Sequence, residues 1–316
     1  MPTTTVSILT ITQYSRRETF QLLVQMVEKQ TMPAIEWVIV EGSPTKEYEE
    51  LNGVLIRKWA YEKPELNIVY VDNPKQKQRT FANMLNTGNS VCKGQIIVQM
   101  EDDDYYPPTR IQHAVEMLNN SRMLVAGCTS VYFHDFKTNM MGRTPYFDDA
   151  HSANHALAYK RRYLKENKYT HNREKGFSIE GSFLQWKYVS KIIQLEPEHT
   201  ILYNVYNGNT IPKEDIIKGW IKGNLLKPVD TEKCEKLYRD YKENYLPHYT
   251  EIFNVYSKNW CTGASNFTKG HIGYYKGSLS DRIEIKRIEQ EQKRNDNICI
   301  LDEECSIDES EIIQLT

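Results

Sequence analysis

The chain of 316 residues lacks an excess of either charge: 40 Lys+Arg stand against 42 Asp+Glu, a formal net charge of −2. That balance excludes a surface built wholesale for polyanions. Lys160-Arg161-Arg162 is the only run of three consecutive basic residues, too little for a nucleic-acid footprint, so no nucleic-acid partner is expected. No stretch approaches the roughly 20 consecutive apolar residues of a membrane-spanning helix, and residues 1–5 hold no basic segment leading into an apolar core. A cytoplasmic location is therefore expected. The six cysteines, Cys92, Cys128, Cys234, Cys261, Cys299 and Cys305, include no Cys-x-x-Cys pair. Their scatter speaks against a disulfide framework and a structural zinc site, leaving ordinary reduced thiols. Without a secretory signal, the sequons at Asn119 and Asn266 are read as chance matches. There is no Gly-x-x-x-x-Gly-Lys-Ser/Thr loop and no Gly-x-Gly-x-x-Gly after the first β-branched run, so a P-loop phosphotransferase and a dinucleotide dehydrogenase lose their main support. Thr10 to Arg17 contains no glycine either, which weakens a nucleotidyltransferase reading.

What is present is an alternation of strand and helix patterns. Val6 to Thr12 is a β-branched run, Glu18 to Glu28 carries apolar residues at helical spacing, and Glu36 to Val40 is a second apolar run ending at the turn residues Glu41-Gly42-Ser43-Pro44. A third strand is predicted at Asn67 to Val71 and a helix from Arg79 to Ser90. Gln95 to Met100 is a fourth strand running into Glu101-Asp102-Asp103-Asp104, and Pro107-Pro108 open a helix over Thr109 to Leu118. Such βαβ units build a mostly parallel α/β sheet whose ligands sit beyond the carboxyl ends of the strands. The polar strand ends Thr10/Thr12, Glu41/Ser43, Asp72/Asn73 and Glu101 to Asp104 should therefore converge on one edge. The middle of the chain reads as mixed α+β, and after Asp215 the pattern weakens. Tyr238 to Tyr249 is rich in tyrosine and charge, Gly263 to Gly277 in turn residues, and Asp281 to Arg294 is a charged helix candidate. The last 16 residues hold six acids and no Lys or Arg, as a solvated tail would.

The acidic cluster carries most chemistry. Three adjacent aspartates at the end of a buried strand repel one another unless a cation is present, and oxygen-only ligands suit Mg²⁺ or Mn²⁺. Arg16, Arg17, Lys77 and Arg79 lie on loops predicted to flank it and supply cations for phosphate.

Residues 4 to 212 resemble the family 2 glycosyltransferases of the GT-A fold, a nucleotide-sugar-binding α/β domain. The resemblance is carried by Val6-Ser7-Ile8-Leu9-Thr10, Glu36-Trp37-Val38-Ile39-Val40-Glu41-Gly42-Ser43, Lys77-x-Arg79 with Asn83, and above all by Ile96 to Pro108, similar to that family's strand plus Asp-x-Asp metal motif. Asn154-His155-Ala156, Glu180-Gly181-Ser182-Phe183 and Ile201 to Thr210 resemble downstream elements of a subgroup. The resemblance implies a mostly parallel twisted sheet flanked by helices, with a catalytic domain over 1–214, a C-terminal extension over 215–300 and a flexible acidic tail over 301–316.

The implied activity is a metal-dependent, inverting transfer of a sugar from a nucleoside diphosphate, expected to be uridine-linked, to a hydroxyl of a glycan, protein or small molecule. An inactive sugar-nucleotide or glycan-binding module of the same fold is the alternative. Implied donor contacts are Thr10, Thr12, Arg16, Glu41, Ser43, Lys77, Arg79, Asn83, Asp102 and His155, with Thr10 and Glu41 bordering the base. Asp102 and Asp104 frame the metal motif, Asp103 being equally eligible as direct ligand, and Mn²⁺ or Mg²⁺ is the implied cofactor. Glutamate at 41 and 101, where the family often has aspartate, alters the reach toward the donor base. Glu180 is assigned as general base, the alternative being a glutamate that satisfies a helix N-terminus; Asp148 and Asp149 stand in reserve. Trp186 and Trp260 are candidates for stacking on a sugar face.

Overall fold

The computed structural model describes residues 4–72, 80–170, 179–185, 191–206, 209, 213–229 and 231–259, all within the larger of two compact units, Met1–Lys276. Lys77, Arg79, Trp186, Trp260, Cys261, Cys299, Cys305, the turn-rich stretch 263–277, the helix candidate 281–294 and the acidic tail lie outside the described residues.

The first half alternates strand and helix: β1 (Val6–Thr12), α1 (Arg17–Glu28), β2 (Glu36–Glu41), α2 (Lys46–Glu62), β3 (Ile68–Val71), α3 (Phe81–Val91), β4 (Ile96–Gln99) and α4 (Arg110–Asn119). Then come β5 (Val125–Gly127), β6 (Tyr132–Asp135), β7 (Met140–Arg143), β8 (Ala158–Lys160), α5 (Ile179–Leu184), β9 (Ile193–Gln194) and β10 (Leu202–Val205). Three helices follow: α6 (Glu214–Lys222), α7 (Thr231–Asn244) and α8 (Leu246–Asn259). Seven strands form one mostly parallel sheet in the order β3-β2-β1-β4-β8-β5-β9, with β8 antiparallel to both neighbours, and β10-β6-β7 form a second sheet.

Strand alternation explains the two layers. Ile8, Trp37, Ile39, Ile96 and Val98 pack with Phe20, Leu23 and Met26 of α1, while Leu9, Val38, Val40 and Ile97 face the other way, toward Ala82, Met84 and Leu85 of α3. Successive side chains point to opposite faces, so a parallel sheet buried on both sides needs apolar residues at every central position. At the amino ends, the Ser7 hydroxyl donates to Glu36 (2.6 Å) and accepts from Gly94 N (2.8 Å), joining β1 and β2 to the turn before β4.

The strands predicted for β1 to β4 appear within a residue or so of their expected bounds. Helix α2 does not follow from the pattern, because its buried positions are Asn52, Gly53, Ile56 and Trp59, of which only two are large and apolar. Its start signal is Thr45, whose hydroxyl accepts from Tyr48 N at 3.3 Å, with Glu47 and Glu49 in the first turn.

Beyond Asp215, tyrosines replace aliphatic residues as the packing element. The Tyr105 ring lies 5.4 Å from Tyr241 and 5.1 Å from Tyr245, and Tyr206 stacks on Phe253 at 3.7 Å. Tyrosine brings large apolar area with one polar atom that needs a partner when buried. The Tyr105 hydroxyl donates to Asp240 (2.5 Å), and that of Tyr249 to the Asp104 carbonyl (2.9 Å). Cys92, Cys128 and Cys234 are buried reduced thiols, and among the described residues no helix is long and apolar enough to cross a membrane.

A Cβ added at Gly94 would lie 2.4 Å from Ser7 N and 2.6 Å from the Val6 carbonyl carbon, both backbone atoms that cannot swing aside. Gly94→Ala should therefore lower stability by about 1–3 kcal/mol in urea denaturation, and an unchanged midpoint would refute the close approach.

Two histidines give the fold an acid limit. His113 accepts from Glu196 N at 3.1 Å and His151 meets the Thr129 hydroxyl at 2.7 Å; burial pushes both pKa values down to about 4. Both rings stay neutral in the folded chain over a range where the unfolded chain's histidines, near about 6.5, take up protons. Their contribution is complete above about 6.5 and lost as pH falls toward about 4. The melting temperature of His113→Gln/His151→Gln should decline less steeply than wild type over that interval; parallel declines would reject the assignment.

Candidate active site

The carboxyl end of β4 is held before the acidic residues begin. The Thr10 hydroxyl donates to the Met100 carbonyl (2.8 Å) and accepts from the Trp37 indole (2.9 Å), so β1 clamps the strand at the point where it becomes a loop. After four acidic residues, Tyr105 and Leu202 exchange backbone hydrogen bonds of 3.0 and 2.9 Å, passing the chain to the second sheet. Glu101 to Asp104 thus forms a short bridge between two sheets, and Asp102, Asp103 and Asp104 are each under 5 % exposed.

Each carboxylate has its own partners. Asp102 accepts from the Thr12 hydroxyl (2.8 Å) and from Arg16 (2.8 Å). Asp103 lies 3.0 Å from the same Arg16 guanidinium and accepts from the Tyr206 hydroxyl (2.8 Å) and Asn209 (3.5 Å). Asp104 accepts from Asn204 N (2.9 Å), and its other oxygen stands 3.1 Å from His155 Nδ1. Glu101 accepts from Asn154 (3.1 Å) and lies 3.8 Å from His155 Nδ1.

The electrostatics follow from burial and from these cations. Burial pushes Asp102 upward, opposed by Arg16 and reinforced by Asp103; burial also raises Asp104, against the pull of His155. Glu101 resists the same burial because the hydrogen bond and charge of His155, with help from Lys213 and Asn154, draw its pKa down to about 2. Burial alone would lower His155, yet Asp104 and Glu101 raise it to about 9, so the imidazole is protonated at neutral pH.

Glu101, Asp104 and His155 offer ligand atoms that all lie within 4.8 Å of one another. Among the described residues, Asp104 Oδ2 has His155 Nδ1 as its one close polar neighbour, and His155 Nε2 is buried without a hydrogen-bond partner. Two carboxylates and an imidazole, with one imidazole nitrogen unspent, are a donor set that fits a divalent cation of the Mn²⁺ type, which would displace the imidazole proton.

Other expected residues sit elsewhere. Glu41 ends β2 with no exposed surface, accepting from Ser43 N, Asn52 (2.7 Å) and Tyr70 (2.6 Å), and burial raises its pKa. The Ser43 hydroxyl accepts from Tyr14 N (2.9 Å). Thr10, Glu41 and Ser43 therefore brace the loops around the cluster, and Asn83 lies on the exposed side of α3. Glu180 lies half-buried in the first turn of α5, and the nearby chain is tied to β4 where the Tyr169 hydroxyl accepts from Gln99 (2.6 Å). Asp148 and Asp149 are exposed, engaged with Ala150 N and the Tyr146 hydroxyl respectively. The sequence reading did not select Asn204, Tyr206, Asn209 or Lys213 as site residues, and Glu101 was not among its metal candidates. Asn154 lay within a motif it quoted, next to His155.

In a mostly parallel α/β sheet, ligands bind beyond the carboxyl ends of the strands, which is where these buried acids and cations gather. The chain belongs to glycosyl transferase family 2, whose model matches residues 8–188, more than half its length; it is a glycosyltransferase. Among solved structures it is similar to a mannosyltransferase, PcManGT from Pyrobaculum calidifontis, in complex with GDP-Man and Mn²⁺ (16 % identity, 91 % of this chain and 80 % of that one, TM-score 0.48). It is also similar to S. aureus TarS 1-349 (14 % identity, 90 % and 82 %, TM-score 0.47) and to the same protein in complex with UDP-GlcNAc (12 % identity, 83 % and 78 %, TM-score 0.47). No curated protein matches the chain.

Arg16 is the counter-charge that Asp102 and Asp103 share, so Arg16→Met should cost about 3–5 kcal/mol in urea denaturation. Adding Asp102→Asn should recover part of that loss, with a coupling above about 1 kcal/mol; strictly additive effects would show that the pair is not energetically joined.

Proposed function

We propose that the protein is an inverting, divalent-cation-assisted glycosyltransferase that moves a sugar from a uridine-linked nucleoside diphosphate to a hydroxyl of a glycan, protein or small molecule. The observation that carries this reading is the meeting of Glu101, Asp104 and His155 at the carboxyl end of β4, with His155 Nε2 buried and without a hydrogen-bond partner. Those three residues would hold the cation, Asp103 standing beside them. When bound, the ion supplies Lewis-acid stabilisation of the charge that grows on the diphosphate.

The chain's own residues supply the rest. Arg16 pairs with both Asp102 and Asp103 and fixes their positions, and Asn204 and Tyr206 orient the bridge from the opposite sheet. Glu180 takes the proton from the acceptor hydroxyl as that oxygen attacks the sugar carbon from the face opposite the leaving group.

The test is calorimetry and thermal shift with nucleoside diphosphates and their sugars, with and without Mn²⁺, followed by slow donor hydrolysis with water as acceptor. Binding of one sugar nucleotide should strengthen with Mn²⁺, and the released sugar should carry the inverted anomeric configuration. Glu180→Gln should keep donor affinity and lower turnover by roughly 100-fold or more. Retained configuration would reject the inverting mechanism, and an unchanged rate would remove Glu180 from the base role.

A further inference from the structure

One cation near the acidic bridge is seated differently from the others. Arg16 spends its guanidinium on two carboxylates at 2.8 and 3.0 Å, and His155 stands 3.1 Å from Asp104. Lys213 instead places its ammonium 3.7 Å from the centroid of the Tyr203 ring. The Tyr203 ring in turn lies 4.9 Å from the ring of His155, so Tyr203 lies close to both the ammonium and the imidazole. Burial lowers the pKa of Lys213, while Asp104, Asp103 and Glu101 attract its charge and Arg16 repels it. Among the described residues Lys213 nevertheless makes no ion pair and no side-chain hydrogen bond.

A lysine whose task is to neutralise the aspartates would sit against one of them, as Arg16 does. A cation held over an aromatic face is fixed without a carboxylate partner. The N–H donors of Lys213 that face away from the ring thus have no hydrogen-bond partner among the described residues, and an ammonium suits phosphate oxygens as a compact point charge.

We propose that Lys213 is a direct ligand of the donor's diphosphate and holds the leaving group; the inference rests on the donor reading above. In the transfer, the bond between the sugar's anomeric carbon and the diphosphate oxygen breaks with its electron pair staying on that oxygen. A bond from the acceptor oxygen forms at the same carbon, and the acceptor proton passes to Glu180. Lys213 bears on the oxygen side of this exchange, where negative charge accumulates.

The experiment is calorimetric titration of the full chain in Mn²⁺ with UDP, UMP and uridine, and with GDP, GMP and guanosine, for wild type, Lys213→Met and Lys213→Arg. In whichever series wild type binds, Lys213→Met should weaken the diphosphate at least tenfold, the monophosphate less than threefold and the nucleoside not at all. Lys213→Arg should recover most of the diphosphate affinity, because it restores the charge. Unchanged diphosphate affinity in Lys213→Met overturns the proposal. Equal weakening of all three ligands with a lower melting temperature also overturns it, assigning Lys213 a structural role. If wild type binds neither series, the donor reading itself fails and Lys213 loses its ligand with it.

Discussion

Four acidic residues in succession leave the end of β4, three of them almost wholly buried, and their mutual repulsion is the constraint around which the molecule is arranged. Leaving those carboxylates unpaired would be costly, so positive charge and hydrogen-bond donors are drawn from distant parts of the chain. Arg16 comes from the turn before α1, His155 from the short 3₁₀ turn before β8, and Asn204, Tyr206 and Asn209 from β10 and the loop after it. The second sheet is thus part of the site, because β10 is the strand that closes the acidic bridge.

The same constraint extends to the C-terminal helices. The Tyr241 hydroxyl bridges Asn204 Oδ1 at 3.0 Å and His134 Nδ1 at 2.9 Å, and Asn204 is the residue that donates to both Asp103 and Asp104. Tyr249 reaches the Asp104 carbonyl, and Phe253 lies flat on Tyr206, whose hydroxyl serves Asp103. Helices α7 and α8 therefore support the geometry of the acidic residues through two layers of polar contacts. Buried polar networks of this kind are rigid only when each member is satisfied, which accounts for the density of tyrosine where a simpler core would use leucine.

Much of the first half was legible. Val6 to Thr12, Glu36 to Glu41 and Ile96 to Gln99 announced themselves as apolar runs that stop at polar residues, and those stops share one sheet edge. Helix α2 was hidden because its inward face uses Asn52 and Gly53, which carry no hydrophobic period. Helices α7 and α8 were obscured for a related reason: tyrosines interleaved with charge give no clear apolar period, although Tyr241 and Tyr249 have no exposed area. Thr10, Glu41 and Ser43 were legible as strand-end polar residues, but only their hydrogen bonds show them bracing the loops.

By itself the sequence determined the α/β class, the family and the location of the acidic run, since these rest on local periodicity and on residues adjacent in the chain. Which carboxylate faces which cation was decided only by the tertiary structure. Asp102 and Asp103 turn to Arg16, whereas Asp104 and Glu101 turn to His155, and four consecutive acids give no local signal of that division. Lys213 is the extreme case: it stands alone in a stretch without pattern, and its place beside Tyr203 depends on how β10 returns the chain to the end of β4. Charge compensation acts through space over a few ångströms, and only folding sets those distances.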